Sequence, residues 1–163
     1  MILSIGHCRT ALIGAFAAVL AAPPVYAASC WPQPVTEAAR LQQLNVVLMA
    51  GVTRCEAGAD NYRADYRRFS ARHEEALGAA KEVMLARFSV GMGRAWASNA
   101  IDYMDSATAQ RVTDGDSPDC GALRAMAQAL ADGSNDDLAR AADNLIADRV
   151  ITPGCTRRIA RTH

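Results

Sequence analysis

Long apolar runs, lysine and paired-cysteine motifs are all but missing from this chain of 163 residues. The longest apolar run, from Ala11 to Ala22, is about a dozen residues against the roughly 20 needed to span a bilayer, and Pro23 and Pro24 break any helix beyond it. No two cysteines stand three positions apart, which removes the redox and haem-attachment spacings. Charge of one sign is lacking too: 17 basic residues balance 17 acidic ones, and Lys81 is the sole lysine. A balanced chain has no field to hold nucleic acid or an anionic bilayer, so neither partner is expected. Alternating hydrophobicity and hairpin signals are absent, which leaves helices as the only regular structure the pattern supports.

What is present begins with an export leader. Residues 1–27 combine a short head bearing His7 and Arg9, the apolar run, and Val25-Tyr26-Ala27 as small-x-small cleavage chemistry. The expectation is a cleaved signal peptide over 1–27, a helical domain over 28–155 and a C-terminal tail over 156–163, working in the periplasm or secreted. No stable membrane anchor is expected after cleavage. Beyond the leader stand Cys30, Cys55, Cys120 and Cys155, an even number that reads as two disulfides in an oxidising compartment.

Apolar periodicity predicts an all-α single domain, a bundle of about five helices. The first, capped by Thr36, runs to Cys55 with Leu41, Leu44, Leu48, Val52 and Cys55 on its buried stripe. A second, long helix capped by Asp60 or Asn61 carries Tyr62, Tyr66, Phe69, His73, Leu77, Ala80, Met84 and Phe88, and stops before Gly91 and Gly93. The third, from about Arg94 to Val112, is expected to bury Trp96, Ala100, Tyr103, Met104 and Ala107. Ser117-Pro118-Asp119 starts a fourth helix with Cys120, Leu123, Ala127 and Leu130 on one face. Ser134 or Asn135 caps a fifth that continues to Thr152-Pro153-Gly154.

Helix length constrains the cysteine pairing. A helix from Thr36 to Cys55 is about 30 Å long, whereas the segment from Cys30 to its start returns about 20 Å at most. A Cys30–Cys55 bond is excluded while that helix is intact, since bridged Cα atoms lie within about 7 Å. An up-down-up course brings Cys120 to the end where Cys55 sits. Cys55–Cys120 is favoured, and Cys30–Cys155 follows by exclusion.

Candidate chemistry is sparse. His73-Glu74 opens a zinc-protease pattern, but Leu77 stands where the second ligand belongs. Gly91-Met92-Gly93-Arg94-Ala95-Trp96 begins like a dinucleotide loop, yet a tryptophan occupies the close-packing position and no strand precedes it. Asp114, Asp116 and Asp119 lack the glycine and terminal glutamate of a calcium loop. Asp102 and Asp105, with Glu74 or Glu75, are the one set of carboxylates able to serve sugar hydrolysis. His73, Glu74, Asp102 and Asp105 are therefore the catalytic candidates to locate in the fold, and no cofactor or metal site is expected.

Ala39-Arg40-Leu41-Gln42 leading to Leu48-Met49 and Arg54-Cys55, followed by Tyr66, Phe69 and Phe88, resembles an uncharacterised group of small exported all-helical, four-cysteine proteins of alphaproteobacteria. The likeness spans the first three helices and weakens at Ile101-Asp102-Tyr103-Met104. Some members bear the label S-adenosyl-homocysteine hydrolase, an activity rejected here because the chain is far too short and lacks that enzyme's dinucleotide-binding fold. The resemblance implies a helical fold and a periplasmic location, and transfers no active-site residue. Together these features favour a non-enzymatic domain binding a protein or cell-envelope component. The alternatives are a small cell-envelope hydrolase using the four candidates, and a carrier of an apolar ligand using Tyr62, Tyr66, Phe69, Trp96, Tyr103 and Met104.

Overall fold

Pro32 sets where the first helix begins: its carbonyl accepts the Val35 and Thr36 N–H groups, and Pro34 sits in the first turn where no N–H is needed. Helix α1 (Gln33–Arg54) thus starts three residues before the expected cap, with Thr36 inside its first turn. The computed structural model describes residues 31–146, and every regular element among them is helical: α1, α2 (Arg63–Arg72), α3 (Glu74–Phe88), α4 (Arg94–Thr113), α5 (Cys120–Asp132) and α6 (Asn135–Ile146). Helix α1 packs on all five others. Its expected stripe is accordingly only part of what it buries, because Val35, Ala38, Ala39, Gln42, Gln43, Val46 and Val47 are buried as well.

The long second helix is two helices. His73, at φ −110° and ψ 17°, ends α2 and opens α3, so the chain turns between Arg72 and Glu74 instead of continuing straight. The buried side chains of the stripe persist across the break, with Tyr62, Phe69, His73, Leu77, Ala80 and Met84 all inside. Asn61 still acts at the start, its side chain accepting the Arg63 N–H at 3.0 Å. Helix α3 stops ahead of Gly91 and Gly93, both at positive φ, a backbone region glycine enters without a Cβ clash.

Two cores flank α1. Its C-terminal half joins α2, α5 and α6 around Leu44, Leu48, Phe69, Leu123, Leu138 and Ile146. Its N-terminal half joins α3 and α4 around Ala38, Ala39, Ala80, Met84, Leu85, Ala97 and Ile101. Trp31 stacks on Phe88 at 5.3 Å, so α3 runs antiparallel to α1 and ends beside its start. At the other end Arg54 donates to Val112 O (3.1 Å), to Ser117 Oγ (2.5 Å) and to Pro118 O, tying α1 to the α4–α5 loop. Ser117 is therefore used by Arg54, and the cap of α5 is Asp119, whose side chain accepts the Ala122 N–H at 2.8 Å. Cys55 and Cys120 are bonded, with Cα atoms 5.7 Å apart, as the up-down-up argument requires. The leader, Cys30, Cys155, the expected stop of the last helix at Thr152 and the tail lie outside the described residues.

Candidate functional site

Of the four catalytic candidates, His73 is the deepest at 1% exposure. Its backbone breaks the helix, which aims the ring into the layer between α2 and the α5–α6 turn. There Nε2 lies 2.9 Å from Leu130 O and Nδ1 lies 3.0 Å from Asn135 Oδ1, with Phe69 packed 5.4 Å away. Both ring nitrogens are thus engaged in joining helices. Glu74 follows on the exposed first turn of α3 and Asp102 is exposed on α4. Asp105 sits at the α1–α4 seam, where Gln42 Nε2 donates to its Oδ2 at 2.8 Å while Oδ1 is buried without a partner. Burial raises the Asp105 pKa, the Gln42 hydrogen bond and Lys81 oppose the rise, and Asp102 adds to it.

No hydrogen bond or ion pair joins any two of these four side chains. The bonded partners of His73 lie on α5 and α6, and that of Asp105 on α1. Two groups that must share one substrate atom within hydrogen-bond reach are instead built into separate helix seams. Among the described residues no group of three or more His, Cys, Asp and Glu is placed to hold a metal ion. No described helix is long and apolar enough to cross a membrane.

The six side chains of the carrier alternative also part company. Tyr62 is buried, donates its hydroxyl to Leu48 O at 2.9 Å, and has a pKa pushed up to about 12 by burial, with Arg54 opposing. Tyr66 donates to Asn45 Oδ1 at 3.2 Å, and its pKa is raised by burial. Phe69 is core and Met104 packs on the N-terminal cluster. Trp96 and Tyr103 are 46% and 75% exposed, contrary to the expected burial of the third helix. Helix α4 is turned by about one residue, so that Ala97, Ile101, Thr108 and Val112 face inward. The reason is packing against a small-residue surface: Ala38, Ala39 and Ala80 admit Ala97 and Ile101 closely, where an indole would hold the helices apart.

Exposed Trp96 and Tyr103 stand on the outer face of α4, and Val90 and Met92 are exposed in the turn that precedes it. Sequence periodicity hides this face because α4 carries two apolar stripes one position apart. The sign that separates them is side-chain size matched to the alanines of α1. Two clefts among the described residues are small. A cleft of about 250 Å³ lies between α1 and α6, lined by Glu37, Leu41, Ala139, Ala142 and Asp143, and a second of about 20 Å³ is lined by residues including Gln43, Val47, Thr108 and Ile146. Both fall below the roughly 300–1,000 Å³ of small-molecule sites. No protein-family model, no curated protein and no solved structure matches the chain.

Proposed function

We propose that this is a periplasmic or secreted, non-enzymatic helical domain that binds a partner protein of the cell envelope through the outer face of α4 and the turn before it. The observation carrying this reading is the exposure of Trp96, Tyr103, Val90 and Met92 together on one hairpin. Tryptophan, tyrosine and methionine are the residues that protein interfaces concentrate, and their exposure to water gains nothing for the fold itself. A protein is favoured over a lipid surface because the face carries no excess of positive charge: Arg94 is paired to Glu82 at 2.9 Å, and the neighbouring Asn99, Ser106 and Gln110 are neutral. The leader and the four cysteines beyond it support the location, and the separation of His73 from Asp105 supports a binding role over hydrolysis.

The test is Trp96→Ser combined with Tyr103→Ser in the exported chain. Both side chains are exposed, so circular dichroism and melting are expected to stay within about 0.5 kcal/mol of wild type. A stoichiometric partner retained by wild type from the envelope fraction is expected to be lost by the double variant. Equal retention by both proteins, or none by wild type, removes the support for this face.

A further inference from the structure

Opposite the buried side of α4 runs a second stripe with the spacing of a helix-pairing seam. Trp96, Asn99, Tyr103, Ser106, Gln110 and Thr113 follow one another in alternating steps of three and four residues, and all six are exposed. At about 100° per residue they lie on the side away from buried Ile101 and Thr108. None of the six is charged, although 21% of the chain is, so a neutral line about 26 Å long runs down the helix. Its N-terminal part is the apolar one. Exposures of 46% at Trp96, 57% at Met92, 71% at Val90 and 75% at Tyr103 leave about 500 Å² of these four residues in water, on the ordinary areas of such side chains.

With the α4 face taken as the contact surface argued above, we propose that its partner is a second copy of this chain, the two α4 helices packing antiparallel about a two-fold axis between Asn99 and Ala100. Trp96 and Tyr103 stand equally far from that axis on either side, so each tryptophan meets the tyrosine of the other copy. The turn before one α4 comes level with Ser106 and Gln110 of the other, which covers Val90 and Met92 in the same contact. Asn99 meets its own copy at the axis, where each amide can both donate and accept. Asp102, beside the seam, comes opposite Ala95 of the other copy and not opposite another acid. Nor does the whole chain repel its copy, since its net charge is zero. Two such patches together cover about 1,000 Å², the lower edge for a specific contact, which makes the dimer reversible and its affinity micromolar. A foreign partner would have to supply a neutral surface of this length and polarity, whereas the two-fold axis supplies one by symmetry.

The experiment is analytical ultracentrifugation of the purified chain and of its Asn99→Glu and Asn99→Lys variants. Asn99 is exposed, so both variants are expected to keep the circular dichroism of wild type. At about 100 µM wild type should sediment mainly as a dimer. Each variant alone sets like charges against each other at the axis and should associate at least about tenfold more weakly, while an equimolar mixture of the two sets opposite charges there and should recover the dimer. Wild type that stays monomeric at that concentration overturns the dimer, and if it still retains an envelope protein through Trp96 and Tyr103, the contact face stands without it. Self-association that neither variant weakens, or that the mixture fails to recover, overturns the two-fold pairing. Self-association that survives Trp96→Ser with Tyr103→Ser overturns the pairing and the face together.

Discussion

The two halves of α1 meet their neighbours by different means. Toward Arg54 the core is large and cross-linked: Cys55–Cys120, the Tyr62 hydroxyl on Leu48, His73 between α5 and α6, and Arg54 on the α4–α5 loop all tie distant segments together. Toward Gln33 the core is small and built largely of alanine, with Gln42 to Asp105 as its internal polar tie. One half is held by specific bonds between separated segments, the other by close approach of small side chains. Small residues permit tight helix contact but bury little apolar area each, so the α3–α4 hairpin is expected to open locally at lower free energy. That hairpin also bears the exposed aromatics, which places the proposed contact face on the more yielding half.

The largest test of this contrast removes the covalent tie. Cys55→Ser with Cys120→Ser frees a loop of 65 residues and is expected to cost about 4 kcal/mol in the chain-entropy description, read by urea unfolding. Hydrogen exchange should quicken more over α5 than over α3. Equal quickening of both would mean that the two halves unfold as one unit. The next test is a single substitution made in each half. In α1 a Cβ at Gly51 runs into the Tyr62 hydroxyl and comes within 2.6 Å of Leu123, so Gly51→Ala should destabilise by about 1–3 kcal/mol. In α3 Gly78 has nothing within 4 Å of its Cβ direction, so Gly78→Ala should stabilise by up to about 1 kcal/mol through helix propensity. Opposite signs in thermal melts support the description of tight and loose surroundings. Equal signs break it.

The smallest effect concerns Asp105. Burial raises its pKa above the ordinary 3.8, so the contribution it makes is fully present below that value and is withdrawn as pH rises through the higher folded-state value. Asp65, held down first by Arg68, and Asp137, held down first by Ser134, act in the opposite sense, favouring the fold above 3.8 and losing that contribution on acidification. Asp105→Asn removes the first slope and keeps the other two. Stability measured from about pH 4 to pH 7 should then fall less, or rise more, in the variant than in wild type. Parallel curves would show that Asp105 is as well solvated folded as unfolded.

Periodicity, chain length and turn chemistry determined much by themselves. The buried stripe Leu44, Leu48, Val52 and Cys55, the stop before Gly91, and the Cys55–Cys120 pairing follow from helix repeat and helix length, quantities the local sequence sets. What only the tertiary structure decided is how helices with more than one usable face choose among them. On α4 the stripes through Trp96 and through Ala97 have the same period, and the alanine surface of α1 and α3 selected the smaller one. At His73 an unbroken stripe gave no warning of a break. The break sets the buried ring within hydrogen-bond distance of Leu130 O and Asn135 Oδ1, groups 57 and 62 residues away that no local pattern announces. Asp105 and His73 were legible as polar residues on apolar faces, but whether they converge depends on which seams the two helices enter. Local sequence encodes a face, while the neighbour that covers it is chosen by shape and by the pairing of buried polar groups across the whole bundle.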